Sequence, residues 1–98
     1  MKIAASEQVQ SWLTSLPPET KHKVRLALRG LVKGQGDIKA LSAPLDGFNR
    51  LRIGSLRVIY RQKSRNEMIL EYAESRDRVY ETFQELARAI AEKSGPRE

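Results

Sequence analysis

At 98 residues the chain has room for one hydrophobic core and one working surface. Its 40% hydrophobic and 31% charged content is that of a folded domain, and the absence of cysteine excludes disulfides and thiolate chemistry. The net charge of +6 is unevenly spread: residues 48–65 hold six Lys/Arg and no acid, whereas residues 66–98 hold five basic and eight acidic side chains. A purely basic segment in a small domain attracts polyanions. No apolar run approaches the roughly 18 residues of a membrane-spanning helix. The N-terminus has no apolar stretch of secretion-signal length, so a cytoplasmic protein with no membrane partner is expected.

In chain order, Met1–Ala5 is extended in character and suits an edge strand. Ser6 fits a helix N-cap with Glu7 in the first turn, and Val9, Trp12, Leu13 and Leu16 fall at helical spacing, which predicts a helix over Glu7–Ser15. Pro17 and Pro18 end it, and Pro18 opens a second helix whose stripe is Val24, Leu28, Leu31 and Val32, stopped at Gly34-Gln35-Gly36. A loop is expected over Asp37–Gly47. Three segments then alternate in period two, Phe48–Ile53, Leu56–Arg61 and Met68–Ala73, with Gly54-Ser55 as a type II′ hairpin turn and Ser64-Arg65-Asn66 as a second turn. A last amphipathic helix is expected over Arg78–Glu92, with Val79, Phe83, Leu86 and Ile90 on one face.

The predicted architecture is α+β: an N-terminal strand, a helix hairpin, a three-strand antiparallel meander and a C-terminal helix. It forms one domain over 1–92, with 93–98 as a flexible tail. Helices cover one face of the sheet, and the other is free to stay open. Because side chains alternate along a strand, Leu51, Ile53, Leu56, Val58 and Tyr60 point to the core while Arg50, Arg52, Arg57 and Arg61 share the open face. Four guanidinium groups on one patch cost stability through like-charge repulsion, and arginine suits phosphate oxygens, so the patch points to a nucleic-acid or acidic-peptide ligand.

The same residues carry a family resemblance. The run from Leu45 to Tyr60, LDGFNRLRIGSLRVIY, resembles the central signature of RelE/ParE-type toxins, and Ser75 to Tyr80, SRDRVY, resembles that family's His-Arg-x-x-Val-Tyr ending. The element order matches as well, over about residues 1–90. The resemblance implies the toxin of a type II toxin–antitoxin system, held silent by a cognate antitoxin protein. RelE-like members cleave messenger RNA in the ribosomal decoding site; ParE-like members share the fold, poison DNA gyrase and lack the nuclease residues. The RelE-like functional positions fall here on Arg50, Arg52, Arg57, Arg76 and Tyr80, all of suitable type, which favours an endoribonuclease acting on ribosome-bound mRNA. Two departures stand out: some relatives have lysines at Arg50 and Arg52, and many have histidine at Ser75.

Metal-free RNA cleavage proceeds by attack of the 2′-hydroxyl on the adjacent phosphate. The chain has no carboxylate or histidine cluster with metal-ligand spacing, so no metal and no small-molecule cofactor is inferred. Nor does the sequence put a His/Glu acid–base pair near the basic patch. The expected roles are transition-state stabilisation by Arg57 and Arg76, proton transfer or base stacking by Tyr80, and RNA binding by Arg50, Arg52 and Arg61. His22 reads as a surface helix residue. The alternatives are a ParE-like gyrase poison or other non-catalytic binding module, and an inactive relic or small nucleic-acid-binding protein.

Overall fold

A computed structural model describes residues 1–75 together with Phe83 and Glu85. The described elements are β1 (Lys2–Ala5), α1 (Glu7–Ser15), α2 (Pro18–Val32), β2 (Asp37–Ala40), β3 (Asn49–Ile53), β4 (Leu56–Ser64) and β5 (Glu67–Glu74). The strands form one sheet in the order β1-β5-β4-β3-β2, antiparallel throughout except for the parallel β1–β5 pair at one edge.

Local signals set the helices. The Ser6 Oγ accepts from the Val9 amide at 3.2 Å, which satisfies one of the donors that every helix start leaves without a partner. The same hydroxyl donates to the Glu71 carbonyl at 2.8 Å, so the cap also ties α1 to β5. Beyond Ala5, where β1 ends its pairing with Leu70, the Gln8 side chain takes over: its amide nitrogen donates to the Ala73 carbonyl at 2.7 Å and its oxygen accepts from the Ala73 amide at 2.9 Å. A glutamine on α1 thus acts as one more residue of strand on the β5 edge. Pro18 sits in the first turn of α2, and Gly34, at φ 76°, takes the left-handed conformation just past its end.

The hairpin between β3 and β4 turns on Gly54-Ser55 between the paired Ile53 and Leu56. Gly54 has φ 62° and no described non-glycine residue has a positive φ, as a type II′ turn with glycine first requires. Strand β4 runs three residues beyond the expected Arg61, and only Arg65-Asn66 remains as the turn to β5.

The main core lies between the sheet and the helix hairpin. Val9, Val24 and Leu31 pack on Leu51, Ile53, Leu56, Val58, Tyr60, Met68, Leu70 and Ala73, with Trp12, Leu13, Leu16 and Leu28 partly buried around them. The inward assignments on β3 and β4 are therefore found as expected, whereas Val32, expected on the buried stripe of α2, is exposed.

Two expectations are corrected. Asp37–Ala40 is a strand rather than loop, so the meander has four strands, β2 to β5. All four β2 residues are exposed and show no buried alternation; the strand exists because Ile38 pairs with Leu51 and Asp37 with Arg52. The second sheet face, expected to stay open, carries a core of its own: Leu45, Ile59, Tyr72 and Phe83 are buried together, with Leu41 and Phe48 against them. The Phe48 and Phe83 rings meet edge to face at 5.0 Å, and Tyr72 lies 6.1 Å from Phe83. Phe83 is helical and sits on the face opposite α1 and α2. The expected helix over Arg78–Glu92 otherwise falls outside the described residues, as does the 93–98 tail. No described helix is long and apolar enough to cross a membrane.

Candidate nucleic-acid interface

Residues directly opposite one another on adjacent strands share a face. Following the register across the sheet from β2 gives Asp37, Arg52, Arg57 and Glu74 in one row, and Lys39, Arg50, Ile59 and Tyr72 two positions along. Both rows lie on the face opposite the helix hairpin, since Ile59 and Tyr72 belong to the second core while the intervening Leu51, Val58 and Ala73 belong to the first. The first row is fully charged in the order minus, plus, plus, minus. It borders the aromatic cluster of Phe48, Tyr72 and Phe83, so one side of this charged row is walled by low-dielectric side chains.

The arginines differ in their surroundings. Arg50 is largely buried, with 12% of its side chain exposed; its Nη2 donates to the Asp37 carboxylate at 2.8 Å and more weakly to the Asp37 carbonyl at 3.3 Å, while its buried Nε has no hydrogen-bond partner among the described residues. Arg52 is half exposed and lies 3.9 Å from the other Asp37 oxygen. Arg57 reaches back over the hairpin, its Nη1 lying 3.4 Å from the Gly54 and Leu56 carbonyls. Arg61 does not join them. It stands four residues along β4 with buried Ile59 between, about 13 Å away by strand geometry, and its Nε donates to Glu71 at 2.5 Å. A bulge in β5, where Ile59 pairs with Tyr72 but Tyr60 pairs with Leu70, leaves Glu71 without a cross-strand partner and available to Arg61.

The expected four-arginine patch is therefore Arg50 and Arg52 braced by Asp37, with Arg57 beside them and Arg61 in a separate ion pair. A carboxylate stands beside the patch as well: Glu74 is opposite Arg57 across β4–β5, and the Tyr72 hydroxyl donates to Glu74 Oε2 at 3.0 Å. Asp37, Tyr72 and Glu74 are not marked as site residues by the sequence alone. The Tyr72/Glu74 alternation on a strand running into SRDRVY was the one available signal. Arg76 and Tyr80 lie outside the described residues. Among the described residues no group of three His, Cys, Asp or Glu side chains is placed to hold a metal ion.

Chemically, the row offers two guanidinium groups for phosphate oxygens and, beside them, a carboxylate oriented by a phenol. Side chains of these types, so arranged, have the chemistry to bind phosphate oxygens and to accept a proton beside them.

No known family profile matches the sequence, and no curated protein does. Solved structures do. The chain is similar to a protein in the RelBE2 toxin–antitoxin complex of Mycobacterium tuberculosis, at 20% identity and a TM-score of 0.63, covering 74% of this chain and 94% of that one. It is similar at the same TM-score to the YoeB/ParE toxin of Agrobacterium tumefaciens, with 17% identity over 76% of this chain and 96% of that one. A third match is to the RelB–RelE antitoxin–toxin complex of Methanococcus jannaschii, again at 0.63, with 15% identity over 82% and 98% of the two chains. The protein has the RelE-like toxin fold.

Proposed function

We propose that this protein is the toxin of a type II toxin–antitoxin system and an endoribonuclease that cuts messenger RNA in the ribosomal decoding site. The observation that carries the reading is the Arg52–Arg57–Glu74 row, with Tyr72 on Glu74, on a fold shared with toxins solved beside their antitoxins. In the proposed reaction Glu74 accepts the proton of the 2′-hydroxyl, whose oxygen attacks the adjacent phosphorus. Arg57, with Arg76, offsets the charge that builds on the phosphorane oxygens. The P–O5′ bond breaks, and the leaving 5′-oxygen takes a proton from Tyr80 or from water. The products are a 2′,3′-cyclic phosphate and a 5′-hydroxyl.

Arg52 holds the messenger backbone, Arg50 adds to the field from its buried position, and Arg61 extends the contact along β4. The cytoplasmic ribosome supplies the substrate and its orientation, which is why so compact a catalytic set suffices. A cognate antitoxin, acidic where it meets the arginines, silences the site.

A second reading, a gyrase poison that uses the same row as a protein grip, is favoured by one observation: the Agrobacterium neighbour is described as YoeB/ParE. A single experiment separates the two. Purified protein is added to translating ribosomes and, in parallel, to gyrase with relaxed plasmid. Messenger cut with cyclic-phosphate ends, and no longer cut by Arg57→Ala, supports the nuclease; inhibited supercoiling with intact messenger supports the poison.

A further inference from the structure

On the other side of the sheet from the arginine row, α2 carries a second set of cations. Residues 20–36 include Lys21, Lys23, Arg25, Arg29 and Lys33 and no acid. Four of these, Lys21, Arg25, Arg29 and Lys33, are spaced four residues apart, so they form one row along α2 and its C-cap. The row rises about 6 Å per step and drifts about 40° around the axis each time. Arg25, Arg29 and Lys33 are exposed and Lys21 partly so. Among the described residues no carboxylate lies within ion-pair distance of any of them.

Folding does not account for this row. Like charges four apart on a helix repel, each pair costing about 0.2–0.5 kcal/mol. The helix dipole favours Arg29 and Lys33 at the C-terminal end but disfavours Lys21 near the N-terminal end. Val24 and Leu31 commit one side of α2 to the core; Arg29 and Lys33 lie on the side away from them, and Lys21 and Arg25 on the flank beside Leu13 and Thr14 of α1, where no carboxylate meets them among the described residues.

We propose that the outer face of α2 is a second RNA-binding surface, which lies along the phosphate backbone of a folded, double-stranded RNA while the arginine row holds the strand to be cut. An evenly spaced row of cations on a straight rod matches a ligand whose negative charges also repeat along a line. An acidic protein would need an apolar anchor beside its charges. The exposed apolar residues of α2, Leu26 and Val32, are six residues apart and about 120° apart around the axis, so they form no patch. The proposal deepens the nuclease reading and rests on it, in that a protein with cations on both sides of its sheet fits a cleft walled by structured RNA. Its test does not require cleavage.

The probe is a short RNA duplex, fully 2′-O-methylated so that it cannot be cut, with affinity measured over a series of KCl concentrations. The Lys21→Gln/Arg25→Gln/Arg29→Gln variant keeps good helix formers at every position, and Arg25→Gln alone is the milder companion. The slope of log affinity against log salt falls by about 0.9 for each phosphate that is no longer neutralised, so the slope should shrink by about two to three in the triple variant and by about one in Arg25→Gln. Arg57→Ala should keep the full contribution of α2. A drop in slope without messenger cleavage by the parent protein would uphold this surface and sink the nuclease. An unchanged slope in the triple variant overturns the proposal. So does unchanged RNA affinity with weakened binding of the cognate antitoxin, which would make the face a protein-binding surface.

Discussion

Arg57 stands directly opposite Glu74 across the β4–β5 pair, and the Tyr72 hydroxyl donates to that same carboxylate at 3.0 Å. A carboxylate held in this way is oriented as well as charged. The relationship joins the start of β4 to the end of β5, and it sets a carboxylate beside the arginines.

Glu74→Gln keeps the shape and the hydrogen bond from Tyr72 while removing the proton acceptor. Cleavage of ribosome-bound messenger should fall by about 10²-fold or more, with RNA affinity equal to or tighter than that of the parent. Tyr72→Phe should lower the rate less, because it loosens the carboxylate without removing it. Single-turnover rates at saturating ribosome concentration are the measurement. A Glu74→Gln protein that cuts at the parent rate would remove Glu74 from the chemistry.

Asp37→Asn should weaken the fold and strengthen polyanion binding together. Arg50 is largely buried and keeps its charge, so removal of the Asp37 carboxylate should cost about 1–3 kcal/mol, read as a lower urea midpoint. Arg52 also loses its neighbour, so association with RNA should become faster at low salt and more sensitive to salt.

Gln8→Leu tests the side chain that completes the β5 edge. Both of its hydrogen bonds go to the Ala73 backbone, and Ala73 is fully buried. Their loss should destabilise the protein by about 1–3 kcal/mol and speed hydrogen exchange at the Ala73 amide. Gln10→Leu is the control, because its amide donates to the Ala5 carbonyl through an exposed hydrogen bond.

Stability should fall at high pH because of Tyr60. Burial pushes its phenol above the ordinary value of 10.0. As pH rises past that ordinary value the unfolded chain loses the proton while the folded chain still holds it, so unfolding is increasingly favoured until the raised folded value is passed. Below the ordinary value the contribution is fully present. Urea midpoints measured over a pH series should decline more gently above that point in Tyr60→Phe than in the parent.

The helices and the central hairpin were legible in the sequence because their causes are local. Ser6, Pro18 and Gly34 act within a turn of where they stand, and glycine first in Gly54-Ser55 fixes its own turn type. Period-two alternation specifies the inward set on β3 and β4 for the same reason: it needs only the strand itself. Strand β2, the second core and the braced arginine row were not legible. Asp37–Ala40 has no pattern of its own and becomes a strand only when β3 offers its edge. The outward face of β4 looked open because Phe83, which closes over Ile59 and Tyr72, is far along the chain. Alternation likewise tells which side chains share a face but not how far apart they stand. Register across four strands brings Asp37 and Glu74 to the two ends of the arginine pair, and a single bulged residue in β5 gives Arg61 its own carboxylate. Local propensity decided where the arginines point; long-range pairing decided which charges stand beside them, because hydrogen-bond register is a property of two strands and never of one.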